Sequence, residues 1–157
     1  MSDETRLSAQ RRIDASPQVI FQVLCDPRGH VTIDSSGMLM SADGHRVGAE
    51  GDRFVVHMDR EALGDYPLGR YDVTVRITKY IENRELAWTI EGQQRPPIGH
   101  VYGYQLEPAD PDAATTLVTS YYDWSQIDPA WRERAIFPVI SADALRATLG
   151  ILARTVQ

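Results

Sequence analysis

Ser141-Ala-Asp-Ala-Leu-Arg-Ala-Thr-Leu-Gly-Ile-Leu-Ala-Arg-Thr-Val156 is the stretch on which the fold turns. Ala142, Leu145, Leu149, Leu152 and Val156 recur at spacings of three and four, which puts an apolar stripe along one side of a helix. At ~1.5 Å per residue this is a rod of roughly 24 Å. A stripe of that kind needs an apolar surface to cover, and the preceding chain supplies one. Tyr71, Val73, Val75 and Ile77 alternate with Asp72, Thr74, Arg76 and Thr78, the pattern of a half-buried strand. Glu82-Asn83 makes a turn, and Leu86, Trp88 and Ile90 form the return strand.

Working outward, Met38 to Met40 and Phe54 to Met58 read as strands separated by the glycine-rich stretch Asp43 to Asp52. Arg60 to Gly69, with Gly64, Pro67 and Gly69, reads as a loop or wide hairpin. Ile98, His100, Tyr102, Tyr104 and Leu106 alternate with Gly99, Val101, Gly103 and Gln105. A turn at Pro108 to Ala113 leads to a last strand, Thr115 to Ser125. Thr5 to Ala15 forms a first strand, with Leu7, Ala9 and Ile13 on one parity. Ser16 caps a helix that Pro17 opens and Asp26-Pro27 stops. A short second helix spans Pro27 to Ile33, and Asp128-Pro129 opens another through Ala135. Strands joined by short turns, not alternating with helices, predict an α+β domain: an antiparallel sheet with helices on one face.

The 157 residues suit one domain spanning 1–157. A net charge of −6 and a pI near 5.1 argue against a protein built to bind nucleic acid. Cys25 is the only cysteine, which excludes an internal disulfide and reads as a buried thiol. His30, His45, His57 and His100 are scattered without metal-ligand spacing, so no metal is expected, and phosphate-loop and dinucleotide fingerprints are missing. Met1 to Gln10 carries no apolar core of a signal peptide, and no apolar run approaches the roughly 20 residues of a membrane span. The expectation is a soluble, cytoplasmic protein without cofactor, with a homodimer left open.

The order of elements resembles the START/pollen-allergen superfamily, the helix-grip fold also called SRPBCC, over Ile13 to Val156. Within it the chain is similar to the bacterial polyketide cyclase/dehydrase-like proteins. The likeness is carried by Ile13-Asp14-Ala15-Ser16-Pro17, Cys25-Asp26-Pro27-Arg28, Gly51-Asp52-Arg53-Phe54, Leu117-Val118-Thr119, Tyr122-Asp123-Trp124-Ser125 and the leucine-striped terminal helix. It implies a curved sheet of six or seven strands wrapped around that helix, two short helices after the first strand, and an internal ligand cavity opening near the short helices and loops. Superfamily members include lipid and hormone binders, cyclases, dehydratases and oxygenase subunits, so the fold leaves function open.

His100, Tyr102 and Tyr104 put three polar-tipped rings on one parity between Ile98 and Leu106, where a filled core would carry Val, Leu or Phe. Such rings need hydrogen-bond partners, which a ligand supplies. The expected cavity lining is Tyr71, Val73, Val75, Trp88, His100, Tyr102, Tyr104, Tyr122, Leu145 and Leu149. In the last strand, Leu117, Thr119, Tyr121 and Asp123 compete with Val118, Ser120, Tyr122 and Trp124 for the inner face. Spacing alone does not choose, although the second set avoids burying a carboxylate. His30 and Asp34, four apart in a short helix, are placed at the cavity mouth. Two functions compete. One is binding of a hydrophobic, lipid-like or polyketide-like small molecule. The other is a cofactor-independent cyclase or dehydratase with His100 as base and Tyr102 or Tyr104 as donor.

Overall fold

The computed structural model describes residues 4–61, 64 and 68–157. Along the chain run β1 (Arg6–Ile13), α1 (Pro17–Cys25), α2 (Pro27–Ile33), β2 (Leu39–Asp43), β3 (Arg53–Asp59) and β4 (Arg70–Ile81). They are followed by β5 (Glu85–Glu91), β6 (Val101–Pro108), β7 (Thr116–Asp123), α3 (Pro129–Arg132) and α4 (Ala142–Val156). The strands form one antiparallel sheet in the order β1-β7-β6-β5-β4-β3-β2. Successive strands from β2 to β7 are neighbours, so only β1 pairs at a distance, with Ile13 opposite Thr116 and Arg6 opposite Asp123. This is the helix-grip architecture that the sequence predicts.

Each helix begins where a side chain satisfies the orphan amides of its first turn. The Ser16 hydroxyl accepts from Val19 N–H at 3.3 Å, and the Ser141 hydroxyl from Ala144 N–H at 3.1 Å. Asp26 ends α1 and also starts α2, its carboxylate accepting from Arg28 N–H at 3.0 Å. Asp143 in the first turn of α4 and Arg154 in the last both suit the helix dipole. Leu145, Leu149 and Leu152 are buried, as the stripe predicts. They lie in one apolar core with Ile13, Val56, Ile77, Leu86 and Val118.

The three larger helices share one face of the sheet. α4 lies over β1 and β7, α1 against β5 and β6, and α2 against β2 and β3, with α2 also touching α4. Two bulges shape that face: β4 slips register between Ile77 and Lys79 against β5, and β2 between Leu39 and Ser41 against β3. An extra residue on one strand raises the local twist and bends the sheet.

Three details depart from the sequence reading. β6 begins at Val101 and not at Ile98, because Gly99 takes φ +87° where a Cβ would sit 3.1 Å from the Gln126 carbonyl oxygen. The region before His100 is therefore a kink, held by Asp128 N–H on the Ile98 carbonyl at 2.9 Å. α3 closes after four residues, and Ala135 lies at φ 53°. β2 starts at Leu39, one residue later than expected. In the Arg60–Gly69 connection, Pro67 lies outside the described residues.

Candidate functional site

Register places aromatic residues of three adjacent strands side by side. Trp88 of β5 is opposite Tyr102 of β6, which is opposite Tyr122 of β7. The result is a row of rings across the helix-covered face. Trp88 stacks on Tyr102 with centroids 6.2 Å apart and on Tyr104 at 5.8 Å. Tyr102 leans on Tyr122 at 4.8 Å, and Trp124 backs Tyr122 at 5.7 Å. His100 meets Tyr102, Tyr122 and Phe137 edge-on, at 5.3, 5.5 and 6.1 Å. Phe137 comes from the segment between α3 and α4, which the sequence did not single out. Tyr122 is fully buried, so β7 turns Val118, Ser120 and Tyr122 inward. Tyr121 faces the opposite side, its ring laid over Gly103, with its hydroxyl donating to Glu85 at 2.8 Å and Arg6 stacked above it at 3.9 Å.

The row carries no formal charge at neutral pH. Burial alone pushes the His100 imidazole down to about 4, so the ring is neutral. Burial, reinforced by Tyr71 nearby, pushes the Tyr102 phenol up to about 12, and burial raises Tyr104 and Tyr122 as well. These tyrosines keep their protons. His100 Nδ1 lies 2.7 Å from the Tyr122 hydroxyl, while the His100 carbonyl accepts from the Thr89 hydroxyl at 2.7 Å. The latter bond keeps the kinked segment in place, so the ring stays on the helix side of the sheet.

Among the described residues, every sealed side-chain nitrogen or oxygen has a hydrogen-bond partner. Trp88 Nε1, Tyr102 Oη and His100 Nε2 have none, so each reaches accessible space in an otherwise buried row. Partnerless polar tips of this kind suit a ligand or ordered water.

The other expected lining residues divide. Val73, Val75, Leu145 and Leu149 belong to the packed core, with Leu149 only 1% exposed. Tyr71 borders an open cleft of about 570 Å³ together with Met40, Met58, His57 and Gln93. No residue of α4 lines that cleft. A second cleft, of about 310 Å³, lies around Arg6, Lys79, Glu85 and Tyr121 on the other face.

The expected mouth pair, His30 and Asp34, is not brought together. α2 is only seven residues long and turns His30 inward, 8% exposed, with Nε2 donating to the Leu24 carbonyl at 2.8 Å. Its ring packs on Phe54 and Trp88 at 5.0 and 4.7 Å, and burial lowers it to about 4. Asp34 sits past the helix in extended backbone, accepting from the amides of Ser36, Gly37 and Leu39. The helical spacing of four therefore ends before the pair can form.

On the opposite face His57 lies between two carboxylates, Nδ1 to Asp72 at 2.7 Å and Nε2 to Asp43 at 2.6 Å. The two hydrogen bonds raise its pKa. Spacing gave no sign of this cluster, because Asp43, His57 and Asp72 come from three strands. No group of three or more His, Cys, Asp or Glu side chains suited to a metal occurs among the described residues. Nor is any helix among them long and apolar enough to cross a membrane.

No family model matches the chain, and no curated protein matches it. Solved structures do. A protein of Chromobacterium violaceum aligns at 14% identity with a TM-score of 0.67, covering 97% of this chain and 96% of that one. The Aha1 dimer of Colwellia psychrerythraea aligns at 17% identity and 0.62, covering 98% and 96%. Norcoclaurine synthase of Thalictrum flavum, solved with dopamine and hydroxybenzaldehyde, aligns at 14% identity and 0.64, covering 96% and 85%. These likenesses show the fold: the chain is a helix-grip domain built like those proteins.

Proposed function

We propose that this is a small-molecule-binding member of the SRPBCC superfamily, taking a hydrophobic guest against the row formed by Trp88, Tyr102, Tyr122 and His100. The observation that carries the reading is the trio of unpartnered polar tips, on the buried rings of Trp88 and His100 and the half-buried ring of Tyr102. Aromatic walls with a few fixed polar groups are the usual composition of a small-molecule site. Tyr71, which lines the open cleft, is near enough to Tyr102 to help raise its pKa. Binding fits the site better than proton transfer. An imidazole held near 4 is a weak base at neutral pH, and a phenol near 12 is a weak acid.

Native mass spectrometry of protein purified from its own host tests this reading. A retained small molecule appears as added mass that is diminished in Tyr102→Phe. A bare mass, together with no quenching of tryptophan fluorescence by naphthalene-sized probes, counts against it.

A further inference from the structure

We propose that His100 is a fixed hydrogen-bond donor in this site, and that the guest it selects is an aromatic molecule bearing a neutral carbonyl oxygen. The inference rests on the binding role proposed above and specifies the ligand's chemistry. Its basis is a buried pair. Tyr122 is fully buried, and among the described residues the hydrogen-bond partner of its hydroxyl is His100. A phenol sealed from water must give its proton to that partner. The neighbouring acceptor is His100 Nδ1, 2.7 Å away.

A phenol that donates to Nδ1 leaves the neutral ring's proton on Nε2. The reverse tautomer would have His100 donate to the Tyr122 oxygen and strand the phenol proton in a fully buried site. Nε2–H is also the atom of His100 that has no protein partner.

The neighbouring free tips have the same character. Trp88 Nε1–H can only donate, and the protonated Tyr102 phenol has a proton to give. A guest must therefore bring an acceptor. No charged side chain perturbs His100 or Tyr102, whose environments are set by burial and by Tyr71. A carboxylate would enter without a counter-charge, and an ammonium would meet donors in place of acceptors. A ketone or aldehyde oxygen conjugated to a flat ring satisfies both requirements, since the ring can stack along Trp88 and Tyr102.

Two measurements test this. Nitrogen-edited NMR of ¹⁵N-labelled protein reads the His100 tautomer without any ligand. The proton is expected on Nε2 in the wild type and on a mixture of the two nitrogens in Tyr122→Phe. Tryptophan quenching then compares 2-acetylnaphthalene with 2-isopropenylnaphthalene, which replaces the carbonyl oxygen by CH₂, and with 2-(aminomethyl)naphthalene. The ketone is expected to bind about threefold to tenfold more tightly than the alkene, the fold-change of one net hydrogen bond. His100→Phe is expected to abolish that preference while still binding the alkene. Should that variant not fold, loss of the preference in Tyr122→Phe serves instead. A proton on Nδ1, equal affinities in the wild type, or tighter binding of the amine overturns the donor assignment and leaves the binding site standing. If none of the probes binds, the site itself fails, whatever the tautomer.

Discussion

At the residue scale, the position of His100 depends on what precedes it. Gly99 at φ +87° has the Gln126 carbonyl 3.1 Å from any Cβ it might carry. Alanine there combines a left-handed backbone with a close contact, so Gly99→Ala is expected to cost about 1–3 kcal/mol. Chemical denaturation checks the stability, and loss of the Tyr122 signature on His100 in NMR checks the displacement. The glycine was visible in the sequence, but as one partner in an alternation and not as a kink. Periodicity reports the parity of His100 correctly and is blind to the long-range carbonyl that makes glycine necessary. The same blindness explains Asp34, whose carboxylate serves three backbone amides and never meets His30. Local backbone capture of an aspartate competes with the pairing that spacing suggests.

At the element scale, α1 and α2 approach each other tightly at Gly29. A Cβ on Gly29 would lie 1.9 Å from the Val23 carbonyl oxygen, a backbone atom that cannot rotate away. Gly29→Ala is therefore expected to destabilise by about 3 kcal/mol or more, read as a lowered urea midpoint, because the two helices must separate. His30, one residue on, would be pulled from its place between Phe54 and Trp88. The helices themselves were legible: serine or aspartate caps followed by proline mark α1, α2 and α3, and the leucine stripe marks α4. Which helix covers which strands was not. α4 grips the β1–β7 edge, and α1 and α2 cover β2, β3, β5 and β6, a division set by tertiary packing. The inner face of β7 became clear only through its partners, since Gly103 opposite Tyr121 is what makes room for that ring outside.

At the scale of the whole molecule, two buried histidines tie stability to pH. His30 and His100 ordinarily titrate near 6.5 and are held near 4 by burial. Above 6.5 both states are neutral and nothing is lost. As pH falls from 6.5 toward 4 the unfolded chain takes up protons that the folded one refuses, so stability declines by about 1.4 kcal/mol per pH unit for each histidine. Urea melts across pH 7 to 4.5 are expected to show this decline, and His100→Phe to reduce its slope by about half. His57, raised by Asp43 and Asp72, works in the opposite sense, losing its contribution as pH rises through its folded value. Its partial exposure makes that part sensitive to salt. Where an aromatic guest sits decides whether the ring row is a binding site. Crystals soaked with 6-bromo-2-acetylnaphthalene locate the bromine by its anomalous scattering. The predicted position is against the Trp88–Tyr102 rings with the carbonyl oxygen on His100 Nε2. Bromine found only in the outer cleft beside Arg6 and Tyr121, or nowhere in the protein, would contradict it.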